Sequence, residues 1–412
     1  MTGADRIHVI DALRGLALLG ILLVNILVFA TPYYATGLPD PAVRGPLDQA
    51  LYALITLLFE TKFYLLFSFL FGYSFTLQMT AATRAGTSFR PRMLRRLLGL
   101  AVIGVLHALL LYHGDILTIY ALLGVILVLA EHWDARRAVR VALTLLGVNA
   151  LVWFALSGLA FAEPTAFATD AAAELREARL ALTGFTGSPG EVVAEHARQY
   201  LSTWPVLVGL QGVSALAAFL LGFAAGKRDV FKVPGTAQAA LEKVLLVSLP
   251  VGVLGAVMYT WSVHQDFSEP VKVLGFALDS FTAPFLTAAY VALFTLTWPR
   301  HAGRLHWLVP AGRMALSHYL GQSLLCSLFF HGYGLTWMGQ VSIAETVVVA
   351  LLVFAVQVRF SWWWLKRYRY GPVEWLLRAF TTLTVPPLSA GPPREVHFPQ
   401  AVRRDGRHSS DW

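Results

Sequence analysis

The chain has 412 residues, 57% of them hydrophobic and 14% charged. A soluble domain carries roughly 25% charged residues, so most of this surface must be solvated by lipid and a soluble globular enzyme is excluded. The net charge of +8 does not signal nucleic acid. Its cations fall in short blocks between apolar runs, among them Arg90, Arg92, Arg95 and Arg96, then Arg136, Arg137 and Arg140, which is how the positive-inside bias distributes them. One cysteine, Cys326, leaves no intramolecular disulfide and no thiolate metal cluster.

The first apolar stretch, 9–31, has Asp11 and Arg14 at its mouth and no small-residue cleavage site, so it reads as a retained first span. Segment 47–60 is apolar but only about 14 residues long, short for the hydrocarbon core, and is expected to be an interfacial or re-entrant helix. Further spans at 62–82, 96–113, 116–131, 138–161, 204–226, 242–263, 271–298, 308–331 and 341–365 bring the expected total to ten. The predicted fold is all-α, a polytopic integral membrane helix bundle with interfacial helices. Loop 162–203 contains a helix-prone run from Ala171 to Leu182, which Gly184, Gly187, Pro189 and Gly190 should then break. It is expected to be a solvated connector, with a lid or an acceptor-binding cap as the alternative. Gly371 to Arg378 predicts a short interfacial helix, with Pro372 in its first turn and Glu374 near its positive end. The expected organisation is a single transmembrane domain over 1–380, with halves at 1–161 and 204–380. A flexible basic tail follows over 381–412.

The positive charges orient the bundle. With the N-terminus inside, the inner loops collect most of the arginines and lysines, and both ends are cytoplasmic. Counting 47–60 as a span would strand Arg6 and Arg14 on the wrong face.

Ionisable groups inside a bilayer are costly and mark functional sites by default. The first span offers Asp11, Arg14 and Asn25, and the second is entered through Glu60, Thr61 and Lys62. The third holds His107 and runs into His113, Gly114 and Asp115, and the ninth carries Arg313, Tyr319 and Gln322. At ~1.5 Å of rise per residue, Arg14 and Arg313 lie near the inner edge. Asn25, His107, Tyr319 and Gln322 lie deeper, and Glu60, Lys62 and Asp115 sit at the outer mouth. The pattern predicts a basic inner level below a His/Asn/Tyr outer level. Each residue also has a plainer reading: Asp11 with Arg14 as an intrahelical pair, Lys62 snorkelling outward beside Glu60, His107 as packing glue between helices. No HExxH, Cys ligand set or P-loop occurs, so no metal or bound cofactor is expected.

The run Arg6-Ile7-His8-Val9-Ile10-Asp11-Ala12-Leu13-Arg14-Gly15 through Val24-Asn25 resembles the opening of YeiB-like bacterial membrane proteins. So do Phe63 to Gly72, Arg95-Arg96-Leu97-Leu98, Leu106-His107-Ala108 and Gly114-Asp115-Ile116-Leu117. The second half, through Gly312-Arg313-Met314-Ala315-Leu316-Ser317, Tyr319, Gln322-Ser323 and Gly371-Pro372 with Glu374-Trp375, resembles the domain of unknown function numbered 418. The resemblance implies a multi-pass protein of a bacterial plasma membrane. The first-helix pattern, Asp11-x-x-Arg14-Gly15 ending at Asn25, is also similar to heparan-α-glucosaminide acetyltransferases, which carry an acyl group from cytosolic acyl-CoA to an acceptor across the membrane. The match stops at their catalytic histidine, where this chain has Thr36.

Two readings follow. In the first, a membrane acyltransferase, Arg14, Asp11, Arg313, Gln322, Glu60 and Lys62 bind an acyl-CoA-type donor and a small-molecule, lipid or glycan acceptor, with the donor's phosphates held by Arg14 and Arg313 or by the cytoplasmic Arg95 and Arg96. His107 is the general base, oriented by Asp115, and Asn25 or Tyr319 stabilises the oxyanion. In the second, a transporter or exporter, the same residues line a path and Glu60, Asp115 and His107 relay protons.

Overall fold

Lipid offers backbone groups no hydrogen-bond partners, so an apolar chain that enters it must satisfy them internally, as helices. The computed structural model describes residues 7–34, 36–232, 237–265 and 267–389. Among these residues every element is helical, apart from an isolated bridge between Tyr368 and Ser389. The expectations made for Arg6 and for the tail from residue 390 onward lie outside the described residues.

The helices are α1 His8–Ala30, α2 Pro46–Leu58, α3 Lys62–Arg84, α4 Phe89–Leu110, α5 Leu117–Leu129, α6 Ala135–Ala162, α7 Ala171–Thr186 and α8 Pro189–Leu210. They continue with α9 Gly212–Lys227, α10 Gln238–His264, α11 Glu269–Leu305, α12 Leu308–Arg313, α13 Ala315–Phe330, α14 Ile343–Leu365 and α15 Pro372–Thr382. Each of the ten expected spans falls on helix. By length and apolarity alone, seven segments can cross a membrane, or eight if the pair α8 and α9, bent by 54°, counts as one. Of the other two expected spans, α5 has 13 residues and the ninth is broken at Met314 into α12 and α13. The bundle is therefore an all-α fold with seven or more helices able to span a membrane.

The outward faces of these helices are apolar. Leu246 is 77% exposed, and Leu151, Leu254, Leu352 and Val356 are also largely exposed. A soluble monomer rarely presents so extensive an apolar surface, and a bilayer supplies the missing solvent. α1 is the central element: 67% of its apolar window is buried inside the protein, against 22% for the peripheral α6. Two close crossings lock the centre. A Cβ on Gly312 would overlap the Asp11 carbonyl where α12 meets α1, and one on Gly72 would overlap the Phe219 carbonyl where α3 meets α9. Small residues at such crossings let two backbones touch, which is the main packing device available in lipid.

Segment 47–60 forms the short helix α2, which ends at a turn where Thr61 has φ 63°. Loop 162–203 departs from the connector expectation. The expected break does end α7, at Thr186 before Gly187, but no open connector follows. Pro189 instead occupies the first turn of a second helix, α8, opened by a capping box between Ser188 and Glu191. Pro lacks only an N–H that is unsatisfied at that position anyway, so it starts helices as readily as it stops them. The α7–α8 hairpin is fastened to the rest of the bundle by Gly332, whose N–H donates to the Phe185 carbonyl at 2.7 Å.

Candidate functional site

Two cavities lie in contact inside the bundle. The first, of about 370 Å³, is basic. α1 supplies Asp11 and Arg14, α3 supplies Ser74 and Gln78, and α4 supplies Arg92 and Arg96. Arg313 comes from α12, and Glu374 and Arg378 from α15. Five arginines thus face two carboxylates, and both carboxylates are engaged. The Arg14 guanidinium donates through Nη1 to Asp11 Oδ1 and through Nη2 to Ser74 Oγ, each at 2.6 Å. Glu374 accepts from the backbone N–H of Leu316 at 2.7 Å and of Ser317 at 3.0 Å, and from the Ser317 hydroxyl at 2.5 Å. It therefore caps the N-terminus of α13 from another helix and supplies acceptors to donors that α13 cannot satisfy itself. Burial pushes this carboxyl above its ordinary range, against the pull of those hydrogen bonds. The cavity keeps a surplus of guanidinium groups, the donors best suited to phosphate and carboxylate.

The second cavity, of about 580 Å³, is polar without being basic. It is lined by Asn25 from α1, Glu60 and Thr61 from the α2–α3 turn, Tyr64 from α3, and Tyr112 and His113 from the loop after α4. α8 adds Gln199 and Thr203, α10 adds Tyr259, α11 adds Ser280 and α13 adds Tyr319. Among the described residues Glu60 is its only carboxylate, and no lysine or arginine lines it. Ile21, Ile116, Tyr120 and Tyr319 line both cavities and form the partition between them. The Tyr120 hydroxyl is fixed by Ser68 Oγ at 2.6 Å and by the Tyr64 carbonyl at 3.0 Å.

Arg14, Asp11 and Arg313 thus share the basic cavity, and Asn25, Glu60 and Tyr319 share the polar one. Four other expected residues line neither. His107 was expected to face the cavity beside Asn25, and this is corrected. The residue is 2% exposed, its Nδ1 lies 2.8 Å from Asp115 Oδ1 and its Nε2 lies 2.8 Å from Ser323 Oγ. Asp115 is spent as well, accepting from the N–H and hydroxyl of Thr118 at 2.8 and 2.9 Å. Asp115, His107 and Ser323 have the order of a carboxylate–imidazole–hydroxyl triad. A nucleophile must reach its substrate, however, and Ser323 is 3% exposed and lines neither cavity. The array is a clamp joining α4, the following loop and α13. Gln322 is buried, with Nε2 directed at the Leu18 carbonyl at 3.4 Å.

Lys62 does not snorkel. It is 0% exposed and forms an ion pair at 2.8 Å with Asp279 of α11, which is also 0% exposed and accepts from Thr61 Oγ1 at 2.6 Å. Asp279 escaped the sequence reading. A carboxylate within the span 271–298 needs a cation, and the cost argument that singled out Lys62 would have found it. His113 was read only as part of a span exit, yet it is the imidazole that shares a cavity with Asn25. It stacks on Phe185 and lies 5.9 Å, ring to ring, from His196 of α8, which is 5.3 Å from His331. Distant segments bring these three rings together, and no sequence spacing announces it. Among the described residues no group of three or more His, Cys, Asp or Glu is arranged to hold a metal ion.

Residues 225–384 match the family described as Protein of unknown function (DUF418). Across nearly its whole length the chain is similar to Uncharacterized protein YxaH of Bacillus subtilis, at 32% identity over 93% of this chain and 96% of that one. It is also similar to Uncharacterized protein YeiB of Escherichia coli, at 30% identity over 92% of this chain and 96% of that one. An uncharacterized 39.9 kDa protein of Bacillus acidopullulyticus is 27% identical over 92% of this chain and 94% of its own. The chain belongs to the YeiB/YxaH-like, DUF418-containing family of helical membrane proteins.

Proposed function

We propose that the protein is a multi-pass plasma-membrane acyltransferase with both termini cytoplasmic, moving an acyl group from a cytosolic acyl-CoA-type donor to an extracytoplasmic acceptor. The observation that carries this reading is the direct contact between a basic cavity and a polar one across the thin wall of Ile21, Ile116, Tyr120 and Tyr319. Arg14, Arg313, Arg92, Arg96 and Arg378 hold the donor's phosphates by charge-assisted hydrogen bonds. The thioester reaches the wall, where Asn25 or the Tyr319 hydroxyl donates to the developing oxyanion. His113 takes the place first assigned to His107: it removes the proton of the acceptor hydroxyl or amine as that atom attacks the thioester carbonyl, the C–S bond then breaks, and the proton passes to the departing coenzyme A thiolate.

The test is equilibrium binding of coenzyme A to the purified protein. Arg14→Gln and Arg313→Gln should each weaken it about tenfold or more, the cost of losing a hydrogen bond to a charged group. Binding should also fall steeply with added salt. Coenzyme A that fails to bind the unmodified protein, or binds both variants equally well, would refute the donor assignment. An exporter would show neither coenzyme A binding nor acyl-CoA turnover.

A further inference from the structure

We infer that the polar cavity is a binding site for a small organic ammonium ion, with Glu60 as its counter-ion and tyrosine rings as its walls. The inference goes beyond the acyl-transfer reading and does not depend on it, because an acceptor and a transported solute would both be recognised by this chemistry.

The first support is charge. Within the bilayer a carboxylate is retained only where something compensates it. The neighbouring pair shows how the protein does this when compensation is internal: Lys62 is closed on Asp279 at 2.8 Å, with both side chains fully buried. Glu60 stands two residues away and, among the described residues, closes no ion pair of its own. Its polar contacts are hydroxyls: Tyr259 donates to Oε1 at 3.2 Å, and the side chains of Tyr34 and Thr56 also hydrogen-bond to the carboxyl. Lys62 acts on Glu60 as well, but Asp279 opposes it, and among the described residues no lysine or arginine lines the cavity, so the three groups leave one carboxyl in excess. A ligand that brings a positive charge completes the site.

The second support is the wall. Tyr34, Tyr64, Tyr112, Tyr120, Tyr259 and Tyr319 all line this one cavity. Aromatic faces attract a desolvated cation, and recognition of ammonium groups by such cages is their best-known use. The same rings give a neutral polyol no comparable gain. The amide side chains of Asn25, Gln199 and Gln211 add acceptors for N–H or hydroxyl groups on the ligand. A volume of about 580 Å³ is within the range of small-molecule sites, roughly 300–1,000 Å³. The adjoining basic cavity has the opposite sign, so a cation is directed to one chamber and an anion to the other.

Choline and its uncharged isostere 3,3-dimethyl-1-butanol differ in charge and little else, which makes them the probes. Titrated calorimetrically into purified protein at neutral pH, choline should bind at least about tenfold more tightly than the isostere. Glu60→Gln keeps the side-chain shape and its acceptor for Tyr259, and should bring the two affinities to within about twofold while leaving the thermal midpoint nearly unchanged. Equal binding of the two probes to the unmodified protein, no binding of choline, or a preference that survives Glu60→Gln would each overturn the inference. Should Glu60→Gln fail to fold, the comparison of the two probes on the unmodified protein decides alone. Coenzyme A binding is measured in parallel: its absence alongside choline binding removes the acyl-transfer reading only, and the reverse result removes this one only.

Discussion

Lys62 and Asp279 make the most quantitative prediction. Their charged atoms are 2.8 Å apart and both side chains are 0% exposed. At that separation and an effective dielectric of 20 the gross attraction is about 6 kcal/mol, offset by several kcal/mol of desolvation per ion. The net value of the pair is therefore small, but removing one partner strands the other. Lys62→Met should cost about 3–5 kcal/mol, and Asp279→Leu a similar amount. The double substitution replaces the pair with apolar groups of similar size and should recover most of that loss. Thermal unfolding midpoints of the three variants in one detergent or nanodisc give the cycle. If Lys62→Met costs under about 1 kcal/mol, or if the double variant is as unstable as the sum of the singles, the pair is not the buried and mutually dependent unit described.

The clamp around His107 predicts that His107→Gln loses about 1–2 kcal/mol of stability and leaves coenzyme A binding intact. His113→Gln, in contrast, should fold normally and lower turnover about 10²–10⁴-fold; both are read by single-variant kinetics beside melting curves. Burial favours the neutral form of the Glu374 carboxyl, so the docking of α15 should lose stability as the pH rises from 4.5 through the raised value. Glu374→Gln should flatten this dependence, as seen in unfolding midpoints between about pH 4 and 8. For orientation, in a background with Cys326→Ala, a cysteine placed by Ser88→Cys between α3 and α4 should resist an impermeant thiol reagent in intact cells. One placed by Ser188→Cys, at the α7–α8 turn, should react. Labelling of the former from outside would reverse the assigned topology; Gly235→Cys, expected to resist the reagent as Ser88→Cys does, lies outside the described residues.

Apolar runs are legible without a structure, because lipid leaves a chain few choices: ten expected spans fall on helix, α2 lies where the sequence predicts a short interfacial or re-entrant helix, and α15 where it predicts an interfacial one. The α7–α8 hairpin was less legible, because Pro189 has opposite meanings inside a helix and at its first turn. Depth along each helix was enough to separate Arg14 and Arg313, which line the basic chamber, from Asn25, which lines the polar one, with Tyr319 in the wall that both share. Rotation about each helix was not readable, and it decides whether a side chain meets a cavity or a neighbour. That is why His107, at the right depth, faces Ser323 and Asp115, and why His113 from the loop takes the cavity position. Lys62 met its partner through a contact 217 residues away in sequence, which no local pattern encodes. The Gly371-Pro372 segment was read as a helix start. That was correct, but its glutamate caps a different helix, α13, a role visible only once α15 is placed against it.

Reconstitution reads out acyl transfer across the wall between the two cavities. The purified protein is placed in sealed vesicles in its assigned orientation, and labelled acetyl-CoA is supplied on the face of the basic cavity, with coenzyme A release followed by its free thiol. Thiol release should depend on the protein, be lost in Arg14→Gln with Arg313→Gln combined, and deposit label on an acceptor held on the opposite face. Thiol release that persists in the doubly substituted protein, or label confined to the donor's own side, would contradict it.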